Sequence, residues 1–268
     1  MKTEIRAFFT ALMFYTRIPC PKWVDHSEKY LRISRKYFPL IGLLVGGIAG
    51  LTLVGLEKIL PVSIAVIFSM ITSILVTGAF HEDGLADTMD GFGGGWTKEK
   101  ILAIMKDSRL GTFGAISLMM VLMVKYLLLV EIVKYSQENI FSFEFCQCLF
   151  ATYLSGHAIS RFMALTFFKT HQYAKMNDEI GSKSKPIAKG QFPLTDLFLA
   201  AIFALIPMAL FQNYLMFLAL IPCFLITWIL GRWFNKWIGG YTGDCLGAVQ
   251  QITEVTFYIS ILTIWMYF

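Results

Sequence analysis

The sequence predicts an all-α integral membrane protein that crosses the bilayer about seven times, with an amphipathic segment at its N-terminus. Three observations carry that expectation. Hydrophobic residues fill 56% of the 268 positions and charged residues only 15%, against about 25% in soluble domains. Uncharged runs such as PVSIAVIFSMITSILVTGAF at 61–80 recur along the chain, and about 20 apolar residues suffice to cross the hydrocarbon core as a helix. The runs do not alternate between polar and apolar positions, so they lack the pattern of a membrane β-barrel.

The elements follow in order. In MKTEIRAFFTALMFYTRIPC, residues 1–20, the apolar stretch between Arg6 and Arg17 is too short to span, and Glu4 sits where a secretory leader needs positive charge. The segment is therefore expected to lie on the membrane surface as an amphipathic helix. Spans are expected at 38–56, 61–80, 110–130, 142–168, 194–212, 214–231 and 245–267. The first opens with KYFPLIGLLVGG, where Pro39 and three glycines permit close helix packing or local unwinding. Between the second and third spans, Thr97 is a suitable N-cap for a short helix, KEKILAIMKDS. The five cysteines contain no CxxC pair and read as small buried apolar residues. No internal repeat or linker divides the chain, which is expected to form one membrane-embedded domain over 1–268.

Charge sorts the loops. Residues 1–36 carry Lys2, Arg6, Arg17, Lys22, Lys29, Arg32, Arg35 and Lys36. The 81–109 loop carries Lys98, Lys100, Lys106 and Arg109, the 161–193 region six further cations, and the 232–244 loop Arg232 and Lys236, whereas the alternate loops hold only Lys58 and Lys134. By the positive-inside rule this puts the N-terminus in the cytoplasm and, with seven spans, the C-terminus outside. Topology accounts for the net charge of +5, so no nucleic-acid partner is expected.

Three polar constellations then fall on the cytoplasmic side. HEDGLADTMDGFGGGWTKEK starts at His81 and sets four acids within nine residues directly after an uncharged span. Asp83, Asp87 and Asp90, spaced by four and three, share one face of a helix. Like charges so stacked repel, and hard carboxylate oxygens in that arrangement suit Mg²⁺ or Mn²⁺. His81 is a further candidate base or ligand. KDSRLGTFGAI, 106–116, supplies Asp107 as a candidate metal ligand and Arg109 as a candidate phosphate clamp. WIGGYTGDCLGA, 237–248, frames Thr242 and Asp244 with glycines; Gly240, Thr242 and Gly243 are candidate anion binders and Asp244 a further ligand. Arg17 and Arg161 are candidates for substrate phosphates. Glu254 lies inside the last span, with Lys125 of the third as its expected partner. Carboxylates, a metal and arginines, without a Cys–His pair or a serine-nucleophile signature, point to metal-dependent displacement at a phosphoanhydride.

FHEDGLADTMDG, DSRLGTFG and GGYTGDCLGA, in that order behind FPLIGLLVGG, closely resemble the cobalamin synthase family, the adenosylcobinamide-GDP ribazoletransferases. The likeness runs from the TRIP segment to the last span. It implies a multi-pass inner-membrane enzyme that requires Mg²⁺ and transfers the adenosylcobinamide phosphate moiety of adenosylcobinamide-GDP to α-ribazole or its 5′-phosphate. The products are adenosylcobalamin or its phosphate, and GMP. The resemblance implies attack by the 5′-hydroxyl or 5′-phosphate of the ribazole, with Mg²⁺ held by Asp83, Asp87 and Asp90 together with Asp107 and Asp244. A homo-oligomer and other cobalamin-assembly enzymes are candidate partners beside the lipid bilayer. The 177–190 stretch matches the family least well, and its role is open.

Two rivals are weighed. A CDP-alcohol phosphotransferase would want Arg where position 87 is Asp, and a downstream GxxxDxxxD that the sequence lacks. A cation or secondary transporter would want acids near the bilayer midplane and symmetric broken helices, whereas the acids here cluster at one edge.

Overall fold

The structure is a computed structural model that describes residues 2–24, 27–139, 142–174 and 190–267. Eleven α-helices run through the described residues: α1 Lys2–Tyr15, α2 Glu28–Ser34, α3 Phe38–Leu56, α4 Val62–Thr77, α5 Phe80–Gly94, α6 Lys98–Met105, α7 Thr112–Asn139, α8 Ser142–Thr170, α9 Leu194–Leu205, α10 Leu220–Ile238 and α11 Gly243–Tyr267. Short 3₁₀ turns join α2 to α3 and α9 to α10. The described residues contain no sheet; an isolated bridge pairs Tyr173 with Tyr241. The five cysteines are all unpaired.

Five helical stretches are long and apolar enough to cross a membrane, Glu28–Leu56, Thr112–Gln137, Leu194–Phe211, Tyr214–Ile238 and Gly243–Tyr267; α4 with α5 makes a sixth if the bent pair counts as one span. The expected seventh, α8, is 29 residues long, about 43 Å at 1.5 Å per residue, yet does not qualify by composition. Its polar side chains explain this. Thr152, Ser155, His157, Ser160 and Arg161 are all buried, because α8 packs most extensively against α3 and α11 rather than facing lipid. A helix enclosed by other helices needs no apolar outer face.

Close approach of α3 to α8 depends on two glycines one turn apart. A Cβ at Gly42 would lie 2.5 Å from the His157 carbonyl oxygen, and one at Gly46 2.6 Å from that of Tyr153. Here the FPLIGLLVGG glycines act as a small-residue packing face.

The decisive local feature is the corner after α4. Gly78 takes φ +68° and Ala79 φ +57°, and the Ala79 N–H donates to Ile74 O at 3.0 Å, a left-handed helix ending. The chain then restarts at Phe80, turned 87° from α4. A non-glycine residue in this region carries strain of about 1–3 kcal/mol, held here by packing on both sides. So 81–94, expected as loop, is helix, and the aspartates do share helical spacing. Gly84 and Gly91 leave the helix intact. Thr97 caps α6 as predicted, its Oγ1 accepting from the Lys100 N–H at 3.3 Å.

Candidate active site

The site is built where α5 crosses the first turns of α11. A Cβ at Gly84 would lie 2.9 Å from the Asp244 carbonyl oxygen and 3.2 Å from the Gly247 Cα; without side chains at these two positions the backbones nearly touch. This crossing sets Asp244 against the acidic helix. Asp83 is exposed, while Asp87 and Asp244 are half-buried. The charges of Asp244, Asp83 and Asp90 all act repulsively on Asp87. Thr242 caps α11, its Oγ1 accepting from the Cys245 N–H at 3.3 Å and donating to Asp244 Oδ2 at 3.4 Å.

The four acids of α5 do different things. Asp90 is buried and accepts from the N–H groups of Gly111 and Gly114 at 2.6 and 2.7 Å, which anchors the start of α7. Glu82 turns inward and accepts from Gln251 Nε2 at 2.9 Å. Asp83 and Asp87 make no side-chain hydrogen bond or ion pair with the described residues. They are the two carboxylates of α5 left for a ligand.

Other predicted residues are spread more widely. Arg17 is exposed and its side chain lies over Gly78, at the corner from which α5 departs. Its backbone N–H donates to Val76 O at 2.7 Å. Asp107 and Arg109 are not drawn into the acidic edge. They pair with each other at 2.6 Å, with the Arg109 side chain 87% exposed. Hydrogen bonds from the Arg109 side chain and backbone N–H hold the Asp107 carboxyl down at about 2. Gly240 lies against the Gln172 carbonyl oxygen, and the neighbouring Tyr241 N–H donates to that oxygen at 3.0 Å. The GGYTG turn thus spends one amide on the 172–174 segment, while Gly243 opens α11. The 177–190 stretch lies outside the described residues except for Gly190.

Arg161, expected at the cytoplasmic mouth, is buried. Its Nη1 donates to the His157 carbonyl oxygen at 2.9 Å, and its guanidinium lies over the Phe38 ring at 5.8 Å. It belongs to a polar network in the middle of the helices. Lys125 and Glu254 form the predicted pair, at 2.6 Å. Tyr258 donates to Glu254 Oε1 at 3.0 Å and Gln250 to Oε2 at 2.6 Å; Gln250 also donates to Ser160, and Gln251 to Gln250. Arg161 lies within electrostatic reach of Glu254 and Glu82, so two cations face two anions. His81, buried beside this network, completes the wall between it and the acidic edge. Sequence reasoning missed Glu82, His157, Gln250 and Gln251. Their signal was helical spacing of polar residues inside apolar runs, His157–Ser160–Arg161 on α8 and Gln250–Glu254–Tyr258 on α11.

Among the described residues, no three His, Cys, Asp or Glu side chains converge closely enough to cage a metal ion. Mg²⁺ rarely needs such a cage. It binds through one or two carboxylates, with waters and substrate phosphates completing its shell. Asp87 with Asp83 or Asp244 fits that donor requirement, all being hard oxygen ligands free of competing cations.

Fold and site together define a multi-pass helical membrane protein with a carboxylate-lined edge backed by a buried charged network. Over residues 7–262 the chain matches the family model described as cobalamin-5-phosphate synthase, and it belongs to that family. It is 46% identical over 261 residues to the adenosylcobinamide-GDP ribazoletransferase of Shewanella frigidimarina, covering 97% of this chain and 95% of the relative. It is 44% identical over 271 residues to the protein of that name from Leptospira interrogans, covering 99% and 98%. No solved structure matches the chain.

Proposed function

We propose that this protein is an adenosylcobinamide-GDP ribazoletransferase. It joins the cobinamide phosphate of adenosylcobinamide-GDP to α-ribazole or its 5′-phosphate and releases GMP, on the cytoplasmic face of the inner membrane. The observation that carries the reading is the pair of unpartnered carboxylates, Asp83 and Asp87, held against Asp244 by the Gly84–Gly247 crossing. Full-length likeness to relatives bearing that name supports the substrates.

A ribazole oxygen attacks the phosphorus attached to the cobinamide, the anhydride bond to GMP breaks, and the proton of the attacking hydroxyl passes to a base. The family description, cobalamin-5-phosphate synthase, supports a different nucleophile from the one the resemblance implied. A product that keeps a phosphate at the 5′ position cannot have been joined through that position, so a secondary ribose hydroxyl must attack. Bound Mg²⁺, held by Asp87 with Asp83 or Asp244, would neutralise charge on the diphosphate. In this reading Asp83, the most exposed of these acids, takes the proton, and Arg17 at the α4–α5 corner meets a phosphate oxygen. Asp90 and Glu82 position α5 from its two sides. Arg109 sits apart, satisfied by Asp107.

The test is turnover by membranes containing this protein, given adenosylcobinamide-GDP and α-ribazole, with EDTA and then added Mg²⁺. Corrinoid product and GMP should appear in equal amounts, vanish with EDTA and return with Mg²⁺. Asp87→Asn should lower kcat by about a hundredfold or more, the usual loss when a group that stabilises transition-state charge is removed. Absence of product from folded wild type refutes the assignment.

A further inference from the structure

Neither the polar network nor the acidic edge accounts for an aromatic pocket beside them. Its walls include Phe14 and Tyr15 from the end of α1, Phe38 from α3, Phe80 and His81 from α5, and Tyr241 ahead of α11, and it is partly open to solvent. Tyr15 stacks on Phe38 at 4.2 Å, Phe38 lies nearly parallel to His81 at 5.8 Å, and Phe80 stands edge-on to both Tyr15 and His81. Such faces and edges accept a flat ring. His81 is buried, and its Nε2 has no hydrogen-bond partner among the described residues. A buried polar atom left unpaired is unfavourable unless a ligand or water meets it. Gly243 and Gly247 also line the pocket, so it borders the α5–α11 crossing that presents Asp244.

We infer that this pocket binds the flat aromatic base of the ribazole, with His81 Nε2 as its buried polar contact. The inference rests on the ribazoletransferase reading. The lining contains no Asp, Glu, Asn, Gln, Lys or Arg. Guanine carries exocyclic donors and acceptors that a selective site would have to satisfy, and a corrinoid carries peripheral amides. The benzimidazole-type base of ribazole has no exocyclic hydrogen-bonding group, so ring faces and one imidazole nitrogen suffice. Seated there, the base leaves its ribose at the pocket mouth, beside the first turn of α11.

Two variants test this in the full chain. Leu246, half-buried in the pocket wall, becomes a plug in Leu246→Trp. Phe80, 42% exposed, loses its ring in Phe80→Ala without emptying the core. Each should raise KM for α-ribazole, Leu246→Trp by blocking the pocket and Phe80→Ala by about tenfold, as expected for loss of one aromatic contact to a base, and leave KM for adenosylcobinamide-GDP within about twofold. Calorimetric titration of α-ribazole alone into the purified protein should show the same weakening. Wild type that turns over nothing refutes the transferase reading itself. Active variants whose KM rises for adenosylcobinamide-GDP instead, or for neither substrate, refute the pocket assignment and give the pocket to the other substrate or to a lipid chain. If Leu246→Trp does not fold, Phe80→Ala at its exposed position decides.

Discussion

Removing Glu254 should destabilise the protein more than removing Lys125 and Glu254 together. Their charged atoms are 2.6 Å apart, with side chains only 4% and 1% exposed. Breaking such a pair leaves one uncompensated buried charge and is worth about 3–5 kcal/mol. Glu254→Leu also strips the acceptor from Tyr258 and from Gln250, each worth about 1–3 kcal/mol if left unpaired. The single variant therefore sits at the upper end, a loss of about 5 kcal/mol. For a chain of this size, that lowers Tm by on the order of 10 °C. Lys125→Met combined with Glu254→Leu removes both charges, so the double variant should recover half or more of the loss. The assay is thermal unfolding of the four proteins of this cycle in one detergent, followed by near-UV circular dichroism. A double variant no more stable than Glu254→Leu would refute the coupling, and with it the account of Glu254 as the hub of the network.

Three further outcomes follow from the geometry. Asp90→Ala removes the acceptor of two N–H groups at the start of α7 and should cost about 2 kcal/mol, read as a lower urea midpoint; Asp90→Asn should recover part of it and keep more turnover than Asp87→Asn. Gly46→Val drives a Cβ toward the Tyr153 carbonyl oxygen and should separate α3 from α8, seen as a loss of folded, monodisperse protein on gel filtration. The Asp107 carboxyl is depressed by Arg109. Its contribution is therefore complete above the unfolded value of about 4 and fades as pH falls toward 2. Arg109→Ala should return the Asp107 titration toward about 4, measured by ¹³C carboxyl NMR, with turnover within about twofold of wild type.

Much of this was legible in the sequence, for reasons that can be named. The apolar runs and the absence of alternation gave an all-helical membrane protein. The spacing of Asp83, Asp87 and Asp90 gave a shared helix face, Thr97 gave a cap, and an acid and a lysine inside two different spans gave the Lys125–Glu254 pair. Distance along the chain does not reveal which side chains converge. Arg109 lies nineteen residues from Asp90 in sequence, yet Asp107 takes it and glycine amides fill Asp90. Arg161 was expected on the cytoplasmic side as a candidate for substrate phosphates, but it is buried, and Glu82 and Glu254, on two other helices, offset its charge. The corner at Ala79 was equally hidden, since nothing local demands a left-handed alanine. The aromatic pocket draws on α1, α3, α5, α8 and α11, and no window of sequence contains it.

The crowding of four acids into nine residues is resolved by dividing them. Glu82 is turned inward to Gln251, Asp90 is spent on the start of α7, and only Asp83 and Asp87 remain for a ligand, with Asp244 supplied from across the helix crossing. Repulsion on Asp87 remains from Asp83, Asp90 and Asp244, and of these Asp90 is held by the glycine amides. This division predicts an asymmetry in charge-neutralising variants. Asp87→Asn should stabilise the metal-free protein, because it removes repulsion from Asp83 and Asp244, while abolishing the gain in Tm that millimolar Mg²⁺ should give wild type. Glu82→Gln should do neither, since its partner Gln251 can still donate to the new amide oxygen and Arg161 loses a counter-charge. Thermal unfolding with and without Mg²⁺ measures both. If Asp87→Asn leaves the Mg²⁺ shift intact, or if Glu82→Gln removes it, the division of labour along α5 is wrong.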